Sequence, residues 1–250
     1  AGGSTANPAG PMTALNVIVA DVLQEMKKDI DKEISGGKEK KLAIVNVLRK
    51  YIKDSKKVRF EGDGYSEEWA NEAEKRGLSN LKSTAEALDV LISKKVTDLY
   101  GKHKVLNERE LHARHEIRLE NYIMKVQIES RVMGDLALNH IIPTAILYQN
   151  KLITNANGLK GLGLDNSAAI ETIEEISRHI ESLKSDVGNM IEARKRVNKE
   201  EDIAVKAKLY SSDVKDTFFD KIRYAVDKLE LLVDDESWPL VKYREMLFLK

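Results

Sequence analysis

The stretch from Asn107 to about Leu152 carries the longest helical signal in the chain, and any fold must cover it on both sides. Apolar or small residues recur at Leu119, Ile123, Val126, Ser130, Met133, Ala137 and Ile141, in steps of four and three that keep to one stripe of a helix. Arg118, Glu120, Lys125, Glu129, Arg131 and Asp135 fill much of the remaining surface. Asn107 followed by Glu110 is a capping box that starts this rod. Within it, Pro143 lacks a backbone donor and predicts a kink or break near His140.

Shorter helices precede the rod. One starts near Pro11 or Met12, with Leu15, Ile18, Val19, Val22, Leu23, Met26 and Ile30 as its buried stripe, and ends at Gly36-Gly37. A second, from about Glu39, carries Leu42, Val45, Leu48 and Ile52. Val58-Arg59-Phe60 is the one extended piece, followed by a turn through Gly62 and Gly64. Ser66-Glu67-Glu68 opens a short helix closed by Gly77, and Ser83 with Glu86 caps the next. Beyond the rod, Asn155-Ala156-Asn157-Gly158 and the glycines at 161 and 163 read as a loop. Ile170, Ile173, Ile176, Ile180, Leu183, Val187 and Met190 then form one stripe, and Val214, Phe218, Ile222, Ala225, Leu229 and Leu232 another. Two such stripes predict an antiparallel helical hairpin, joined near Asn198 and docked on the rod. Trp238-Pro239 turns the chain toward a terminal helix ending at Lys250. The fold class is mainly α: a long-helix bundle with a kinked central helix, the hairpin, and at most a very short strand near 57–60.

Lys plus Arg and Asp plus Glu number 41 each, so the formal charge is zero and the electrostatic footprint of a nucleic-acid binder is missing. The absence of cysteine excludes disulfides and thiolate metal sites and fits a reducing compartment. No apolar run approaches the ~20 residues of a membrane helix. The opening AGGSTANPAGP has no initiator Met and is too rich in Gly and Pro for a regular element, which points to a chain cut from something longer.

Candidate chemistry is thin. His112 and His115 lie three apart, flanked by Glu108, Glu116 and Glu120, but zinc would need a third converging ligand. Their spacing is also not that of metalloproteases, so a solvated face is the better account. Glu61 to Tyr65 departs from the calcium-loop pattern and reads as a structural turn bringing Tyr65 and Trp69 to a partner surface. Gly158, Gly161 and Gly163 follow a helix, which excludes a phosphate-binding fingerprint. Arg194, Lys195, Arg196 and Lys199 stand among acids at the hairpin tip, as at a solvated helix end. Linear spacing supports no catalytic triad or carboxylate pair.

Longer motifs say more. VRFEGDGYS (58–66), SEEWANEAEKRGLSN (66–80), LNERELHARHEIRLENYIMKVQIES (106–130), SRVMGDLALNHIIPTAILYQN (130–150) and the terminal WPLVKYREMLF together resemble the C-terminal region of type III glutamine synthetases. The opening Ala1–Leu23 resembles the point where that family's catalytic sheet gives way to its first C-terminal helix. The resemblance implies a division into 1–106, the helical end of the catalytic domain, and 107–250, the long-helix extension of the type III class. For the parent enzyme it implies cytoplasmic, ATP-dependent ligation of ammonia to glutamate through a γ-glutamyl phosphate, with magnesium or manganese as cofactor. It also implies homo-oligomers of stacked rings in which the remainder of the catalytic domain is this segment's partner, with no nucleic acid and no membrane involved. The family's metal-binding glutamates, ATP-contacting strands and glutamate-binding arginines lie upstream of Ala1, so no catalytic or metal residue is carried over. Ser4 and Asn7 alone fall near the active-site edge, without an assigned role.

The rival reading is a stand-alone helical scaffold or partner-binding protein without catalysis. An exposed apolar patch on Ala14 to Val22 favours the ligase fragment, because a missing sheet would cover it; a fully polar surface favours the scaffold.

Overall fold

Local capping sets where the helices begin and end. In the computed structural model, which describes residues 7–247, Asn107 and Glu110 exchange hydrogen bonds: the Asn107 amide donates to Glu110 Oε2 at 2.8 Å and the Glu110 amide to Asn107 Oδ1 at 2.9 Å. Ser66 and Ser83 accept from the amides of Trp69 and Glu86 in the same way. Gly37, at φ 89°, takes the left-handed position after the first helix.

The chain forms two compact units, divided between His115 and Glu116. The first contains α1 (Ala9–Ser35), α2 (Lys40–Asp54), α3 (Glu67–Lys75), α4 (Thr84–Asp89), α5 (Lys94–Lys102) and the start of α6 (Glu108–Leu136). Its core gathers Val17, Tyr100 and Leu111, with Ala14, Leu91, Val96, Leu99 and Leu106 packed around them. Ser55–Val58 is a 3₁₀ turn, so Val58 is not extended; Arg59 is, at φ −90° and ψ 125°, and no strand pairs with it among the described residues.

The second unit continues α6 and adds α7 (Ile142–Gly161), α8 (Ser167–Val197), α9 (Ile203–Leu209), α10 (Asp220–Leu232) and α11 (Tyr243–Met246). Leu119, Ile123, Val126, Ser130, Ala137 and Ile141 are buried, as their spacing predicts. α8 buries Ile176, Leu183, Val187 and Met190 against α7 and α10, and residues 198–202 turn the chain between α8 and α9. The hairpin therefore forms as read.

The irregularity expected near His140 takes the form of a π-helical turn at Ala137–Ile141, just ahead of Pro143, and the helix runs on beyond it. Steps of four at Met133, Ala137, Ile141 and Ala145 would each drift about 40° on an α-helix, and a wider turn removes that drift while accommodating the missing proline donor.

Two expectations need correction. The predicted loop at 155–158 is helical, through Gly161. Ala156 is buried there and its carbonyl accepts from Asn166 Nδ2 at 3.1 Å, and Gln149 Nε2 ties α7 to the Ile173 carbonyl of α8 at 3.0 Å. Packing of this kind outweighs the ~1 kcal/mol that a helical glycine costs. The left-handed residue that ends the helix is Gly163.

The second correction concerns α1. Its proposed buried stripe is largely exposed: Leu15, Val19 and Leu23 stand 64%, 55% and 59% open, and Val17 is buried instead. In α2 likewise Leu42, Val45, Leu48 and Ile52 face outward, while Ala43 and Val47 are covered.

Candidate functional site

The first unit presents two features that its own packing does not use up. One is the loop from Arg59 to Ser66. Asp63 shapes it: its carboxylate accepts from the Tyr65 amide at 2.9 Å, and its carbonyl accepts from Ser66 Oγ at 2.8 Å. Phe60 stacks on Trp69 with ring centroids 4.2 Å apart. Arg76 of the α3 cap lies 5.4 Å from the Trp69 ring centroid, donates to the Arg59 carbonyl at 3.0 Å and pairs with Glu72 at 2.8 Å. The paired guanidinium in turn holds the Glu72 carboxyl below its usual range. Trp69 is thereby tied into the loop's own structure and is half-buried, while Tyr65 is 82% exposed. The turn is held by its own side chains.

The second feature is the outward apolar face of α1 and α2. Opposite charges tie α1 to α5 beside it: Lys102 Nζ lies 2.7 Å from Asp21 and 2.8 Å from Glu25, and His103 Nε2 is 2.9 Å from Asp21. Hydrogen bonds from Lys102, then His103, pull the Asp21 carboxyl down, and Lys102 lowers that of Glu25; Asp21 in return raises Lys102. These partners are about eighty residues apart in the chain, so no local pattern foretold the cluster.

The histidines do not converge. His112 is exposed, whereas His115 is buried with Nε2 3.0 Å from Asp89 Oδ1. Three residues along a helix is a rotation of about 300°, enough to point one ring at a neighbouring carboxylate and the other at solvent. Among the described residues no three His, Asp or Glu side chains are placed to hold a metal ion. Ser4 lies outside the described residues. Asn7 stands just ahead of α1, where its Oδ1 accepts from the Ala9 amide at 3.0 Å.

In the second unit the buried Ser130 receives a hydrogen bond from Arg194 at 3.3 Å. Asn198 Oδ1 accepts from Gln127 at 2.8 Å and from the Tyr210 hydroxyl. Burial lowers the Arg194 pKa and raises that of Tyr210. Of the basic cluster at the hairpin tip, then, Arg194 points inward. Its place in the last turn of α8, near the negative end of the helix dipole, fits a cation that has no carboxylate partner among the described residues.

Residues 43–160 match the family model described as the glutamine synthetase C-terminal domain. The chain carries a glutamine synthetase C-terminal domain. A glutamine synthetase of Bacteroides fragilis (strain YCH46) is 43% identical over 256 residues, which take in 100% of this chain and 35% of that protein. The type-3 glutamine synthetase of Dictyostelium discoideum is 29% identical, across 96% of this chain and 33% of its own length. A Butyrivibrio fibrisolvens glutamine synthetase is 28% identical, across 85% of this chain and 30% of its own. The chain thus spans about a third of the length of these curated relatives. The glutamine synthetase match covers α2 to α7 and so includes the Arg59–Ser66 loop and the whole rod.

Proposed function

We propose that this chain is the supporting C-terminal part of a type III glutamine synthetase, an ATP-dependent glutamate–ammonia ligase. The observation that supports this most strongly is the apolar face of α1 and α2. Leu15, Ile18, Val19, Val22 and Leu23 stand exposed on one helix and Leu42, Val45, Leu48 and Ile52 on the next, which is far more than scattered surface hydrophobics. Relatives three times as long supply the polypeptide to cover it. In this reading 1–106 completes the catalytic domain, 107–250 is the extension that braces it, and Ser4 and Asn7 lie at the rim of the active site.

Phosphoryl transfer requires cations and donors positioned around the transferring group. Among the described residues no constellation provides them, and the described carboxylates do not cluster as a magnesium or manganese site would need. ATP, the divalent metal and glutamate are therefore assigned to polypeptide outside this chain, within a cytoplasmic homo-oligomer. The present helices contribute rigidity and surface. A rival scaffold function would suit a polar exterior, which α1 and α2 do not have.

The test compares this chain with a full-length relative of the same sequence region. Supplied with ATP, glutamate, ammonia and magnesium, the isolated chain should form no glutamine. In the full-length enzyme, Leu15→Ser, Val19→Ser and Leu23→Ser together should cut activity and yield of folded protein in parallel. Full activity in that triple variant would overturn the reading, as would synthesis by the isolated chain.

A further inference from the structure

Where α2 gives way to the Arg59–Ser66 loop, the fold assembles cations that it does not neutralise. The 3₁₀ turn Ser55–Val58 carries Lys56 and Lys57, and the extended Arg59 follows it. These three line a hollow of about 530 Å³ together with Arg76 and one acid, Glu61. Both arginines are fixed in place. Arg59 Nη2 donates to the Ile52 carbonyl, in the last turn of α2, at 2.8 Å. Arg76 is held by Glu72 and by the carbonyls of Arg59 and Lys57, at 3.0 and 3.4 Å. Glu72 offsets Arg76 alone; Lys56, Lys57 and Arg59 enter no ion pair among the described residues.

We propose that this hollow binds the phosphate groups of a polyphosphate, carried either by a nucleotide or by an inorganic chain. The inference does not depend on the ligase reading. In a chain of 41 basic and 41 acidic residues, four cations around one carboxylate are a local excess, and a hollow concentrates their field on an incoming anion. Guanidinium forks match phosphate oxygens in pairs, and arginines already held in place lose little freedom on binding; the lysines add movable point charges. The volume falls within the ~300–1,000 Å³ of small-molecule sites, and all five residues that line the hollow are charged. A single phosphate beside exposed cations gains little against screening by salt, so retention needs several contacts at once. Linked phosphates supply those contacts, and a lone sulfate does not.

The experiment uses the purified 250-residue chain, whose two tryptophans permit a local readout. Trp69 stacks on Phe60 and lies 5.4 Å from Arg76, and Trp238→Phe silences the other. In that background tripolyphosphate, at low salt and without magnesium, should change Trp69 fluorescence to saturation, and sulfate at matched ionic strength should not. Lys56→Gln with Lys57→Gln should weaken binding about tenfold, and Arg59→Gln by a similar factor, at unchanged far-ultraviolet circular dichroism. Glu61→Gln should tighten it several-fold, a gain that a misfolded variant would not give. Adenosine triphosphate is the second arm. Binding equal to that of tripolyphosphate assigns recognition to the phosphates alone; tighter binding adds the base to the ligand, and weaker binding favours the inorganic chain. Sulfate bound as tightly as tripolyphosphate means an adventitious ion only and overturns the proposal. Tripolyphosphate binding that the lysine and Arg59 substitutions leave unchanged also overturns it, as does a calorimetric titration of the unsubstituted chain that shows no binding.

Discussion

Gly62 has room because it lacks a side chain. A Cβ built there would lie 2.4 Å from Phe60 Cζ, so the ring would have to leave its place on Trp69. Gly62→Ala should therefore disrupt the Phe60–Trp69 stack, change the tryptophan near-ultraviolet signal and cost about 1 kcal/mol in denaturant unfolding. Tyr210 makes a different case. It is fully buried with its hydroxyl on Asn198 Oδ1, an oxygen that also receives Gln127. Tyr210→Phe leaves that acceptor satisfied and should cost only about 1 kcal/mol, read from the same unfolding curves; Asn198→Ala takes the acceptor from the buried Tyr210 hydroxyl and should cost more. At this scale the sequence was legible where residues act on near neighbours. The Asn107–Glu110 box and the Ser66 cap are of that kind. The clamp of Arg76 on the Arg59 carbonyl was not, because seventeen residues separate the two and nothing in linear spacing encodes the approach.

Among elements, the tie between α1 and α5 gives the first unit a pH dependence of known sign. Asp21 and Glu25 are held below the ordinary carboxylate range by Lys102, so their contribution is fully present above that range and is lost as pH falls through their lowered folded values. Lys102 is raised, so its share persists through neutral pH and disappears only at strongly alkaline pH. Lys102→Met should flatten the fall in melting temperature below about pH 4, measured at low salt because exposed pairs are screened. In the second unit Gly134 lies buried within α6. A Cβ there would meet Val187 Cγ1 at 3.6 Å and Met190 Cε at 3.8 Å, ordinary contact distances. Gly134→Ala should stabilise the unit by about 1 kcal/mol in thermal unfolding, through helix propensity and a filled gap. Helix positions were legible from period and caps. The exception at Asn155–Gly158 arose because packing of α7 on α8 overrides weak local preferences, which composition alone reports.

For the whole molecule, hydrophobic periodicity identified which helices are amphipathic but not which apolar stripe is covered. Leu15, Val19 and Leu23 have the pattern of a core face, as Ile176, Leu183 and Val187 do, yet only the second set is buried. A pattern states that a face needs a partner and is silent about whether that partner belongs to the same chain. The isolated chain should accordingly bind the apolar dye ANS while fully helical, and Leu15→Ser with Val19→Ser and Leu23→Ser should reduce that fluorescence. The π-helical turn at Ala137–Ile141 has a consequence for kinship of another sort. Such a turn amounts to one surplus residue absorbed by a helix, so a single-codon deletion there would leave a plain α-helix with both flanks still in phase. Descent can then shorten this rod by one amino acid at that spot without rotating one half of it against the other.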